Sequence, residues 1–157
     1  MEERIIKSVI SVCNYEELSE ADRLLADNAF EMTQRSYSPY SHFSVGAAVR
    51  MSNNHIVRGC NQENAAFGVT ICAERTALFA AGAEFPDTPI EAIAIAARGT
   101  DGQLLEEPVS PCGSCRQAMI ETELRSNQQL HIILCGKEKF YVMEGIRQLM
   151  PLSFAEF

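Results

Sequence analysis

The chain has 157 residues, 46% of them apolar and 22% charged, with a formal net charge of −8. That size and balance suit one soluble domain over residues 1–157, with a core large enough to fold without disulfides. The acidic balance and the lack of any Lys/Arg cluster argue against a nucleic-acid partner, which needs a basic footprint, and against an anionic membrane surface; a small neutral molecule fits better.

The first residues read Met-Glu-Glu-Arg-Ile-Ile-Lys, with no long apolar stretch and no small-residue cleavage site, so no signal peptide is expected. The longest apolar runs, such as Ala92 to Ala97, are too short to span a bilayer. A cytoplasmic location is the default, where six cysteines stay reduced unless a metal holds them. Residues 1–14 carry the weakest structural signal and read as an N-terminal extension. Leu18, Ala21, Leu24, Leu25, Ala29 and Met32 recur at three- and four-residue steps. They predict a helix from about Tyr15 to Tyr37, with Ser19 as a local cap. Ser38-Pro39-Tyr40-Ser41 breaks it. Phe43 to Met51 reads as a strand, Ser52-Asn53-Asn54 as a turn and His55 to Cys60 as the returning strand. A second helix is expected from Cys72 to about Ala83. Ile90 to Ala97 is nearly all apolar, as a central strand would be. Gly99 to Pro111 is a loop, Cys112 to about Leu124 a third helix, and Leu130 to Leu134 a strand. Lys139 to Met143 is expected as an edge strand, and Ile146 to Met150 as a helical turn stopped by Pro151. Strands alternating with helices give an α/β layer architecture.

Pro111-Cys112-Gly113-Ser114-Cys115 puts two thiols at a helix start, where unpaired N–H groups and the helix dipole favour thiolates. Alone, this segment fits a dithiol redox motif as well as a metal site. Cys72-Ala73-Glu74, at another helix start, supplies a third thiol. Three protein ligands leave one tetrahedral position open, the pattern of catalytic rather than structural zinc. Glu74, on the same turn as Cys72, can reach water at that position and move its proton without being a ligand. Zinc with three thiolates carries net negative charge, which calls for positive partners. The two helix ends provide part of it. Arg75 and Arg116 each follow a site residue, and at least one is read as a donor to thiolate sulfur; the alternative is a solvated surface charge.

Together, Cys72-Ala73-Glu74-Arg75 and Pro111-Cys112-Gly113-Ser114-Cys115-Arg116-Gln117 resemble the zinc-dependent cytidine deaminases. Cysteine at position 72, where the broader signature has histidine, resembles the small homotetrameric three-cysteine branch that acts on free nucleosides. Pro39 to Ala48 resembles that branch's first strand, Gly59 to Ala65 its ribose-binding loop, and Leu149 to Phe154 its C-terminal segment. The resemblance covers roughly Ala21 to Phe154. It implies a three-layer α/β/α fold with a mixed, roughly five-stranded sheet, and one Zn2+ per chain on Cys72, Cys112 and Cys115. It further implies Glu74 as the proton carrier and hydrolysis of cytidine and deoxycytidine to uridine and deoxyuridine in pyrimidine salvage. Asn61 and Glu63 would hold the ribose, Phe43 would pack on the nucleoside, and the Ala65 backbone would touch it. Phe67 and Phe154 would cover sites shared within a homotetramer; the alternative for the three phenylalanines is core packing. The chain departs from the pattern in a longer N-terminal stretch, in Gln62 where an apolar residue is common, and in Phe67-Gly68 where a tyrosine is often seen. Phe67 lacks the hydroxyl that a tyrosine would offer. A nucleoside-antibiotic deaminase would share the metal motifs but not Asn61-Gln62-Glu63-Asn64. A zinc-stabilised binding module would need a fourth ligand, for which the sequence offers no good candidate. Cys13, Cys60 and Cys135, and His42, His55 and His131, are read as structural.

Overall fold

The computed structural model describes residues 1–155. Among the described residues six strands form one mixed sheet: β1 (Ser11–Cys13), β2 (Ser44–Met51), β3 (Ile56–Cys60), β4 (Ile90–Arg98), β5 (His131–Cys135) and β6 (Phe140–Glu144), in the order β1-β6-β5-β4-β2-β3. Only β4 and β5 pair in parallel; every other neighbour is antiparallel. Three helices cover the sheet: α1 (Glu20–Thr33) on one face, α2 (Ala73–Glu84) and α3 (Gly113–Ser126) on the other. The strand β4 shows why two layers fit on it. Its Ala92, Ala94 and Ala96 face α1, and the small side chains let that helix come close. Its Ile93 and Ile95 point the other way and fill the wider space under α2 and α3.

The sheet has six strands rather than roughly five, because Ser11–Cys13 pairs with β6, Ser11 opposite Val142 and Cys13 opposite Phe140. The strand expected at 139–143 is therefore not an edge. Its outer N–H and C=O groups are taken by β1, which relieves the exposure of an unpaired edge. Three residues are too few to show an alternating pattern, so no strand is legible there from sequence.

The helix expected from Tyr15 to Tyr37 is shorter and interrupted. Asn14 Oδ1 accepts from Glu17 N while Glu17 Oε2 accepts from Asn14 N, a capping box that closes a single 3-10 turn at Tyr15–Glu17. Ser19 Oγ then accepts from Asp22 N at 3.1 Å and starts α1, as expected of a cap. The buried face is Leu25, Ala26, Ala29 and Thr33, while Ala21 and Leu24 face solvent. No helix among the described residues is long and apolar enough to cross a membrane.

Two close approaches fix the layers. A Cβ on Gly46 of β2 would lie 2.2 Å from Ala29 O in α1. A Cβ on Gly59 of β3 would lie 2.5 Å from Ala77 N and 2.7 Å from Ala73 O in α2. Only glycine lets these backbones touch, and the second contact seats the first turns of α2.

Candidate functional site

Cys72 is the N-cap of α2 and Cys112 the N-cap of α3, both with extended backbone and neither using its side chain to cap. Their sulfurs are thus available to each other rather than to the helix amides. Cys72 Sγ lies 3.8 Å from Cys112 Sγ, and Cys112 Sγ 3.5 Å from Cys115 Sγ. All three sulfurs fall within 4.8 Å of one another, from sequence positions about forty residues apart. A tetrahedral zinc ion with Zn–S bonds of about 2.3 Å would set its sulfurs roughly 3.8 Å apart, so the donor set and its spacing fit zinc. The dithiol alternative accounts for Cys112 and Cys115 but not for a third sulfur at this distance.

Electrostatics point the same way. A hydrogen bond from Cys115 and the Arg75 guanidinium pull the Cys72 thiol well below its ordinary range, while that same bond and burial push Cys115 up. Three thiols this close repel once ionised, and a cation is what allows all of them to ionise together. Arg75 Nη2 donates to Cys72 Sγ at 3.6 Å. Arg116 does not reach a sulfur: its Nε donates to Pro111 O at 2.8 Å and its Nη1 to Leu149 O at 2.6 Å.

Glu74 is 4% exposed and sits in the first turn of α2. Burial pushes its carboxyl up, the negative charge of Cys72 adds to this, and the Cys115 thiol hydrogen-bonds it. A carboxyl raised above its ordinary range beside a metal-binding cluster is placed to take up and release a proton.

The other sequence-expected residues lie on two loops and the C-terminal segment. Asn61, 9% exposed, is committed to the loop around Phe43. Its Oδ1 accepts from Ser36 Oγ at 2.6 Å and Val45 N at 2.8 Å, and its Nδ2 donates to Phe43 O at 2.9 Å. The Glu63 carboxylate accepts from Tyr40 N at 2.9 Å, Ser41 N at 3.2 Å and Ser41 Oγ, which hold it below the usual carboxylate range, the Ser41 hydroxyl most of all. Ser41 Oγ in turn accepts from Phe43 N at 3.1 Å. Three of the four hydrogen-bonding valences of Asn61 are used, and three of about four on Glu63, which leaves one donor and one acceptor. Phe43 is half-buried. Ala65 is exposed, as is Phe67 at 70%, whose ring meets Tyr40 edge-on at 5.7 Å. Phe154 is 65% exposed, and its carbonyl accepts from Gln117 Nε2 at 2.8 Å.

Sequence reading passed over Ser36 and Ser41, which tie Asn61 and Glu63 to the Phe43 loop. Ser41 lies inside the Pro39–Ala48 segment that carries the resemblance, so a signal was present. The contacts of Arg116 and Gln117 with residues 149 and 154 join distant positions and leave no local trace. A groove of about 870 Å³ runs between α2 and α3 from Arg75 and Gln117 to Phe85 and Arg125. None of Cys72, Glu74, Cys112 or Cys115 lines it, so the chemistry lies outside it.

Comparison with known proteins agrees with this geometry. Residues 19–128 match the family model described as the cytidine and deoxycytidylate deaminase zinc-binding region. A cytidine deaminase of Sporosarcina psychrophila is 41% identical over 137 residues, 87% of this chain and 93% of its own. One from Halalkalibacterium halodurans is 44% identical over 99 residues, 63% of this chain and 70% of its own. The crystal structure of a cytidine deaminase from Burkholderia pseudomallei superposes with a TM-score of 0.73 at 34% identity, covering 87% of this chain and all of that one.

Proposed function

The chain belongs to the cytidine and deoxycytidylate deaminase family, and from that premise we propose that it hydrolyses cytidine and deoxycytidine to uridine and deoxyuridine, releasing ammonia. The observation that carries this reading is the meeting of three sulfurs at two helix N-termini with the buried carboxyl of Glu74 beside them. Cys72, Cys112 and Cys115 would hold one Zn2+ per chain. Bound there, zinc would supply the Lewis acidity that lets water act as a nucleophile near neutral pH.

The chain's own residues do the rest. Glu74 accepts one proton from the attacking water and passes it to N3 of the pyrimidine, then takes the second from the new C4 hydroxyl and passes it to the departing amine, leaving a C4 carbonyl. One water is consumed, and the C4 amino group leaves as ammonia. Arg75 offsets thiolate charge through its bond to Cys72. The remaining N–H of Asn61 and the remaining lone pair of Glu63 match a sugar hydroxyl, which both accepts and donates. A site built this way rejects analogues lacking the hydroxyl. Phe43, fixed at its N–H by Ser41 and at its carbonyl by Asn61, presents a ring to the base. The Ala65 backbone lies on the same exposed loop as Phe67. Exposed rings at Tyr40, Phe67 and Phe154 support a homotetramer in which Phe67 and Phe154 cover shared sites. Residues 1–157 act as one domain, with 1–14 as an extension. A cytoplasmic role in pyrimidine salvage fits a site whose thiols must stay reduced.

The test is incubation with cytidine, following ammonia release alongside metal analysis. Turnover with about one zinc per chain is the expected result. A metal-free protein that is active only as a dithiol reductant would sink the reading.

A further inference from the structure

Arg116 directly follows the metal-site residue Cys115, yet its guanidinium turns from sulfur to backbone. It bridges two carbonyls, Pro111 O through Nε at 2.8 Å and Leu149 O through Nη1 at 2.6 Å. Pro111 is the buried residue immediately before Cys112. Leu149 begins the C-terminal segment and packs, with Met150, against the core beneath α2 and α3. The next residue on α3, Gln117, donates to Phe154 O at 2.8 Å. Two consecutive side chains of the helix that begins at the metal site thus hold both ends of the segment 149–154. The planar guanidinium fork is rigid, so it fixes the spacing of the two carbonyls it joins; a lysine ammonium on a flexible stem would not.

We propose that Arg116 is a positioning residue that latches the C-terminal segment onto the Pro111–Cys115 turn, so that Phe154 is presented to the substrate, with Gln117 as the outer catch. This rests on the reading of Phe154 as a ring that covers the nucleoside. Arg116 acts through the tail rather than as a partner of the thiolates.

The test uses the full-length, zinc-loaded Arg116→Met and Arg116→Lys variants, with zinc content, chymotryptic cleavage after Leu149, and KM and kcat for cytidine as readouts. In Arg116→Met, zinc per chain stays at the wild-type level. Cleavage after Leu149 and KM each rise roughly tenfold, the factor that loss of one charge-assisted hydrogen bond produces, while kcat changes less. Arg116→Lys does not restore wild-type behaviour. Loss of zinc with cleavage and KM unchanged would overturn the latch and return Arg116 to the sulfurs. Gln117→Ala removes only the contact with Phe154 O. If Arg116→Met does not fold, an unchanged KM in Gln117→Ala overturns the proposal, and a raised KM with full zinc supports it. Cleavage after Leu149 needs no substrate, so it judges the latch even if the wild-type protein fails to turn over cytidine.

Discussion

Gly59→Ala probes how the sheet places the metal site. The added methyl would meet Ala77 N at 2.5 Å and Ala73 O at 2.7 Å. Ordinary contact begins near 3.4 Å, so α2 must retreat by roughly 0.9 Å (3.4 − 2.5). Both obstructing atoms are backbone, so no side-chain rotation relieves the clash. Cys72 is the N-cap of α2 and travels with it, whereas Cys112 and Cys115 belong to α3. Zinc–ligand distances tolerate only about 0.2 Å. The substitution should therefore cost about 1–3 kcal/mol of stability through overpacking, at about 2–4 °C of Tm per kcal/mol. Zinc affinity should fall roughly 10- to 100-fold, as when supports of a metal ligand are lost. Calorimetry reads the first effect and competition with a chromophoric chelator the second. Gly82→Ala on the same helix is the control, because its methyl meets only the flexible Arg125 Nη1 at 3.4 Å. Wild-type zinc affinity in Gly59→Ala, with the expected loss of Tm, would refute the idea that β3 sets the position of Cys72.

Glu74→Gln keeps the shape of the buried side chain but removes its proton chemistry. Turnover should drop by about 10²–10⁴-fold with zinc retained, and near-normal ammonia release would exclude the proton-carrier role. Arg75→Gln removes the donor to Cys72 Sγ and should speed zinc release to a chelator or slow turnover roughly tenfold; no change in either would make Arg75 a surface charge. The last expectation concerns pH. His131 Nδ1 pairs with Glu144 at 2.5 Å and its Nε2 lies 3.4 Å from Asp22, which also binds Arg50 and Ser19; Glu91 stands 4.0 Å from Arg50. Asp22 first, then Glu144, hold the imidazole above its ordinary pKa against the effect of burial. A raised histidine stabilises fully below the ordinary value of about 6.5, and that stability is lost as pH rises through the folded-state pKa. Asp22, held low chiefly by His131, works in the opposite sense and gives up its contribution only in acid. Tm should thus decline from about pH 6.5 upward, and His131→Gln should flatten that decline; superimposable profiles of the two proteins would remove the cluster from the account.

Local chemistry was legible where one segment carries it. Asn53 and Asn54 marked the hairpin turn, Ser19 announced the start of α1, and the nearly all-apolar run at 90–97 marked the strand at the centre of the sheet, whereas α1 stops at Thr33, well before the proline expected to end it. The long helix from Tyr15 was misread because apolar spacing continues across two successive caps, and a cap bond outweighs a few residues of weak periodicity. The face of α1 was only partly right, since Leu24 fits the period but lies 55% exposed.

The three cysteines and Glu74 were readable because metal binding restricts residue type and spacing so tightly that two short motifs suffice. What those motifs do not contain is distance. That Cys72 meets Cys112 at 3.8 Å depends on Gly59 seating α2 and on β4 carrying the chain from one helix to the next. Likewise, nothing in the string says that Arg75 turns to sulfur while Arg116 turns to two carbonyls. A guanidinium goes wherever unpaired acceptors lie within its reach, and only the packed chain determines which acceptors those are.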